Sequence, residues 1–100
     1  MYAQLVEGGT TPARRTEMDR IVTDEMVPAL QDEPGFAGAL NLVDRDSGNA
    51  MMIVLWESKD QALRPLAEYG GAFLKALANV AAISTGTRNP ISVWEVNARA

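Results

Sequence analysis

One hundred residues, 47% of them hydrophobic and 22% charged, allow one domain with a modest core and exclude wholesale disorder. Zero Cys and zero His exclude disulfides, thiol nucleophiles, zinc fingers, histidine-ligated haem and every histidine-based triad. A net charge of −4 argues against a surface of clustered Lys and Arg, so neither nucleic acid nor an anionic membrane is an expected partner. No apolar run approaches the ~20 residues of a membrane span. Met1-Tyr2-Ala3-Gln4 begins no signal peptide, Arg14-Arg15 leads into no apolar stretch, and the expected location is the cytoplasm.

Tyr2 to Glu7 predicts a short strand closed by Gly8-Gly9. Thr11 suits an N-cap, with Pro12 at the first helical position, where a missing N–H costs nothing. Met18, Ile21, Val22, Met26, Ala29 and Leu30 then recur at three- and four-residue steps, the apolar stripe of one helix. Pro28 predicts a kink or a tightened last turn, because its ring meets the carbonyl of Asp24. Pro34-Gly35 stops the helix. Asp24, Glu25, Asp32 and Glu33 cluster late in it, where the dipole disfavours negative charge, and read as a solvated acidic patch.

Phe36 to Asp44 and Met51 to Trp56 predict two further strands. The hairpin loop between them, Arg45 to Asn49, offers Gly48 for a left-handed position. Ser58 with Gln61 three residues on is a capping box. The stripe of the second helix is Leu63, Leu66, Ala67, Gly70, Leu74, Leu77, Ala78 and Ala81. Pro65 and Gly70-Gly71 cost ~3 and ~1 kcal/mol per residue inside a helix, so this helix is expected to be bent or divided. Thr85 to Asn89 reads as loop and Ile91 to Asn97 as the last strand. The order βαββαβ is the ferredoxin-like α+β arrangement: a four-stranded antiparallel sheet with two helices on one face, one domain over residues 1–100.

Two helices cover one face of such a sheet and leave the other open. Met51 to Trp56 is apolar at every position, so both faces of that strand want burial. Strict alternation puts Phe36, Leu40 and Leu42 on one face and Ala37, Ala39 and Val43 on the other; in the last strand Ile91 and Val93 oppose Trp94 and Val96. An open face of this kind is an apolar patch of several hundred Å². The expected cover is a second copy packed sheet on sheet with two-fold symmetry, a homodimer. A differently wound α/β monomer with fully buried strands is the alternative.

Pro34-Gly35-Phe36 opening a strand, Leu42-Val43-Asp44-Arg45 with Ser47-Gly48, and Leu55-Trp56-Glu57-Ser58 opening a helix resemble the dimeric α/β-barrel superfamily. Within it the chain is similar to the antibiotic-biosynthesis-monooxygenase group. Element order carries the resemblance over nearly the whole chain, and its sequence-specific part is 34–58. Every residue of that part also has a structural role. Pro34-Gly35 turns the chain, Phe36 fills the core, Gly48 fits the hairpin, Ser58 caps, Trp56 anchors a strand end, and Glu57 suits a helix N-terminus. The motif therefore speaks for fold more than for activity.

The resemblance implies three kinds of function. Its haem-degrading branch uses an Asn on the first strand and a Trp and a His on the second helix. This chain has none of the three, and Lys75 or a neighbour stands where the His would align, which excludes that mechanism. The cofactor-free oxygenase branch implies no cofactor and no metal. There an aromatic or quinol-type compound loses a proton and its anion meets dioxygen, in an apolar pocket with hydrogen-bond donors for the enolate.

Candidate walls of such a pocket are Phe36, Met51, Met52, Trp56, Tyr69, Phe73 and Trp94; candidate polar groups are Gln4, Asn41, Tyr69 and Arg88. Each polar group has a plain alternative. Tyr69 suits a helix–sheet boundary, Asn41 a pairing across a dimer interface, and Arg88 a solvated loop. Met52 stands four residues before Trp56, where the oxygenase pattern has Asn, and the sequence nominates no general base or other catalytic residue. A non-catalytic dimeric binding or accessory protein is the third kind.

Overall fold

In the computed structural model, which describes residues 1–85 and 91–100, four strands form one antiparallel sheet in the order β2-β3-β1-β4. β1 (Tyr2–Gly9) lies between β3 (Asn49–Trp56) and β4 (Ile91–Glu95), and β2 (Phe36–Val43) pairs with β3 at the outer edge. Helical segments fill the two crossovers and pack on one face, the expected ferredoxin-like arrangement. β1 runs on through Gly8 and Gly9, which pair with Ala50 and Asn49 and so lengthen the strand instead of closing it. The hairpin is why Gly9 carries no side chain: a Cβ there would lie 2.7 Å from the Gly48 carbonyl oxygen.

The first crossover holds a short 3₁₀ turn, α1 (Arg15–Ile21), a π-helical turn over Val22–Met26 and α2 (Val27–Gln31). Pro28 explains the π turn, because it offers no N–H to the Asp24 carbonyl and its ring crowds it. The ladder widens just before it, with the Val27 N–H donating to the Val22 carbonyl five residues back. Val22 and Met26 both stay buried as a result. Thr11 makes no side-chain cap. The hydroxyl that matters is its neighbour's: Thr10 Oγ1, buried, donates to the Ile83 carbonyl at 2.6 Å and ties the two crossovers together.

In the second crossover the capping box closes, with Gln61 N–H on Ser58 Oγ at 3.2 Å and Ser58 N–H on Gln61 Oε1 at 3.1 Å. α3 (Lys59–Ala62) ends before Pro65, a 3₁₀ turn covers Leu66–Glu68, and α4 (Gly71–Ile83) begins afresh behind Gly70. The expected division is present, and it resets the helical phase. α4 buries Phe73, Ala76 and Ile83, while Leu74, Ala78 and Ala81 face solvent and Leu63 is 56% exposed. The stripe drawn through one continuous helix is corrected accordingly.

A bulge in β2 corrects a second expectation. The register with β3 shifts between Phe36 and Gly38, which leaves Ala37 as an extra residue. Phe36 thereby stands opposite Trp56 on the helix side, whereas Leu40 and Leu42 turn to the open side with Ile53 and Met51. Gly38, at φ 151°, supplies the backbone conformation the bulge needs. The open face carries Leu5, Ile53 and Leu55, with Trp94, Leu40 and Leu42 exposed at 61%, 58% and 49%.

Beneath the helices lie two core clusters. One surrounds Trp56 with Met26, Leu30, Val54, Tyr69 and Phe73; the other holds Met18, Ile21, Val22 and Ile83. Met52 and Val80 pack against both. No helix among the described residues is long and apolar enough to cross a membrane.

Candidate functional site

The two clusters do not fill the layer between them. A cavity of about 320 Å³ lies between sheet and helices, near the lower end of the range for small-molecule sites. Its floor is the helix-side face of the sheet, from Gln4 and Val54 at one end to Gly8 and Ala50 at the other. Val22 and Met26 of the π turn, with Met18 and Leu30, roof one side; Leu66, Tyr69, Phe73, Leu77 and Val80 roof the other. Both helix breaks thus shape the space. The π turn sets the first wall, and the interruption at Pro65–Gly70 swings Leu66 and Tyr69 over the second.

The sequence-predicted residues divide into those on the cavity and those off it. Met52, Tyr69, Phe73 and Gln4 line it together. Asn41 lines it too, on the same sheet face as Met52, its register partner, and away from the open face where a dimer pairing would need it. It is exposed and marks where the cavity reaches the surface at the edge strand, with Nδ2 on the Met51 carbonyl at 3.5 Å. Trp56, at 0% exposure, stands behind the wall. Phe36 packs edge-on against it at 6.3 Å, outside the cavity. Trp94 lies on the opposite, open face, since its partner Ala3 also pairs with Leu55. Arg88 falls outside the described residues.

An ordered aromatic and polar chain supports the deep end. The Trp56 indole N–H donates to Gln4 Oε1 at 3.1 Å, a diagonal contact between neighbouring strands. Tyr69 packs edge-on to Trp56 at 6.0 Å and against Phe73 at 4.5 Å. The Tyr69 hydroxyl is buried and has no hydrogen-bond partner among the described residues. Burial pushes its phenol above the ordinary value, against opposition from the Arg64 guanidinium. Gln4 and Arg64 are both near enough to favour the phenolate slightly, yet neither closes a hydrogen bond of good geometry on the hydroxyl.

Arg64 holds the outer side of that ring, its guanidinium 4.4 Å from the Tyr69 centroid. Glu33 fixes it in turn: one carboxylate oxygen accepts from Arg64 Nη2 and the other from the Gly70 N–H at 2.7 Å. This clamp ties the end of the first crossover to the break in the second. It corrects the expectation that Glu33 belongs to a solvated acidic patch, because its side chain is 9% exposed. Glu25 is likewise engaged, by Arg20 and Asn79, and only Asp24 and Asp32 of that group are exposed with no side-chain hydrogen bond among the described residues.

Burial pushes the Glu33 carboxyl up, but the Gly70 N–H and Arg64 outweigh it, and its pKa falls below the ordinary 4.5. The ionised clamp therefore stabilises the fold above pH 4.5, and that contribution is lost as pH drops through the lowered folded value. Glu33→Gln is expected to cost about 1–2 kcal/mol at pH 7 and to flatten the melting temperature's dependence on pH below 4.5. Thermal melts of both proteins from pH 7 to pH 3 check this.

No family model matches the chain, and no curated protein matches it. Solved structures are. A putative antibiotic biosynthesis monooxygenase from Nitrosomonas europaea superposes with a TM-score of 0.77 at 12% identity, over 98% of this chain and 100% of that one. A variant of SnoaB, a cofactor-independent oxygenase from Streptomyces nogalater, gives 0.73 at 20% identity over 98% and 94%. Another putative antibiotic biosynthesis monooxygenase, from Bordetella bronchiseptica, gives 0.79 at 12% over 95% of each chain. Identities this low carry architecture and leave chemistry open. The chain has the ferredoxin-like fold of the proteins named antibiotic biosynthesis monooxygenases.

Proposed function

We propose that this chain works as a cytoplasmic homodimer of the antibiotic-biosynthesis-monooxygenase-like group, holding a small aromatic or quinol-type molecule between sheet and helices. The cavity carries this reading. Its walls are Met, Leu, Val, Phe and Tyr side chains, and the polar groups deepest in it, Gln4 and Tyr69, are uncharged. Flat rings gain from such sulfur and aromatic walls. The dimer is supported by the apolar side chains of the open face, of which Trp94, Leu40 and Leu42 are 61%, 58% and 49% exposed in one chain.

Cofactor-independent oxygenation is a second reading, favoured by the unpartnered Tyr69 hydroxyl, a donor for a developing enolate. In it a ring methylene becomes a carbonyl, and the second atom of dioxygen leaves as water. The one carboxylate among the described lining residues, Glu7, is exposed and has the register of the open face, so proton loss would draw on the acidity of the substrate itself. The test is to titrate an aromatic quinol, and an anthrone-like phenol that carries such a methylene, into the protein with and without air, following tryptophan fluorescence and dissolved oxygen. Saturable binding supports the binding reading. Oxygen uptake that Tyr69→Phe abolishes adds turnover, and binding without uptake removes it. No saturable binding contradicts both.

A further inference from the structure

A molecule held between sheet and helices needs a way in, and two surface grooves meet the cavity. One, of about 440 Å³, runs between the first crossover and the outer edge of the sheet. Val22 of the π turn and Asn41 of β2 line both this groove and the cavity. Val22 is buried and Asn41 exposed, so the two mark the inner and outer sides of a mouth. The other groove lies beside β4 and meets the cavity at Gln4, Leu66 and Ile91. There Gln4 is committed to Trp56, and the clamp of Glu33 on Arg64 and Gly70 pins the turn that carries Leu66.

The β2 side is held far more lightly. Among the described residues one polar contact joins the helical stretch 15–31 to the hairpin 36–56: Arg45 Nη1 donates to Asp19 Oδ2 at 2.8 Å. Both side chains line the groove, so the bridge crosses it. The Arg45 side chain is 69% exposed, whereas Arg15, 6% exposed, holds the other Asp19 oxygen at 2.9 Å. Arg45 can therefore swing into water while Asp19 and Arg15 stay paired, and no lone buried charge results. Asp19 is the fixed post and Arg45 the movable arm.

We infer that ligand enters and leaves between the π turn and the β2 edge, and that the Arg45–Asp19 bridge is the strap across that mouth. The inference rests on the cavity being a ligand site and adds what governs its exchange. Asn41 and Val43 have the helix-side register, opposite the face proposed to pair in a dimer, so the route stays clear of that interface. The mouth also accounts for a polar residue between Leu40 and Leu42, since Asn41 sits where the cavity meets water. Exposed ion pairs hold weakly, so the strap slows passage without sealing it.

The test is stopped-flow mixing with 2-naphthol, an aromatic ring uncharged at neutral pH, following tryptophan fluorescence. In Arg45→Ala the association and dissociation rate constants are both expected to rise about two- to fivefold, the yield of one exposed ion pair. The affinity, their ratio, is expected to stay as in the wild type, because Arg45 does not line the cavity. Raising salt from about 20 mM to about 500 mM should speed the wild type toward the variant and leave the variant unchanged. The absence of cysteine allows a complementary lock. Thr23→Cys with Arg45→Cys, joined across the groove by a short bismaleimide, should slow both rate constants below those of the wild type. The same protein capped with N-ethylmaleimide should exchange as fast as Arg45→Ala.

Unchanged rate constants in Arg45→Ala overturn the strap, and equal exchange by the cross-linked and capped proteins overturns the route. Faster dissociation alone, with affinity falling in step, makes Arg45 a ligand contact and also overturns the strap. Each of these results leaves the cavity as a ligand site. Absence of saturable naphthol binding by the wild type overturns that reading and the inference with it. Circular dichroism establishes that the variants are folded, and the salt dependence of the wild type reads the strap without any variant.

Discussion

Trp56→Ala is expected to lower stability by about 3–5 kcal/mol, a large share of what a domain of this size has. The side chain is fully buried, holds Phe36 and Tyr69 edge-on, and bonds Gln4 across the strand. Removing it opens a hole at the meeting point of β2, β3 and the break in the second crossover, and strands the Gln4 oxygen. Urea unfolding followed by far-UV circular dichroism should show the midpoint fall steeply with little change in slope. A loss under about 1 kcal/mol would mean that the deep end is held by something else.

Ile53→Asp is expected to abolish the proposed dimer. Ile53 sits at the centre of the open face, flanked by Leu5 on β1 and Leu40 on β2. In a sheet-on-sheet dimer its side chain is covered, and an uncompensated carboxylate there costs about 3–5 kcal/mol per chain. The variant should emerge as a monomer or as insoluble protein. Leu63→Asp is the control, because Leu63 is also exposed but lies on the short helix α3–Pro65 connection, away from that face. Light scattering after size exclusion reads both. A soluble dimeric Ile53→Asp protein would show that the open face is not the interface.

The local rules of the chain were legible wherever one residue dominates its neighbourhood. Pro28 and Pro65 announced the two helix breaks, and Ser58 with Gln61 announced its cap, because a missing N–H or a paired side chain acts within one turn. The non-alternating run from Met51 to Trp56 announced two faces that want cover. What the sequence hid depended on geometry. One added residue, Ala37, moved Phe36 to the other side of the sheet, and no composition signal marks such a bulge apart from the nearby Gly38.

The clamp of Glu33 on Arg64 and Gly70 was equally hidden. Its partners stand 31 and 37 residues from Glu33, and a carboxylate late in a helix looks solvated until the second crossover folds onto it. Of the site, Met52, Tyr69, Phe73, Asn41 and Gln4 could be nominated as apolar walls and odd polar residues, and the structure gathers them on one cavity. The commitment of Gln4 to Trp56 could not be nominated, since it needs the register of β1 on β3.

This chain is proposed to carry, as a two-fold dimer, a small molecule between sheet and helices. Native mass spectrometry of the protein purified from its own host, set against the same sample denatured, tests both halves at once. The predicted spectrum shows twice the chain mass plus a small-molecule increment that vanishes on denaturation, and the released compound should be an aromatic or quinol-type ring. A single-chain mass with no increment, unchanged by adding aromatic quinols, would contradict it.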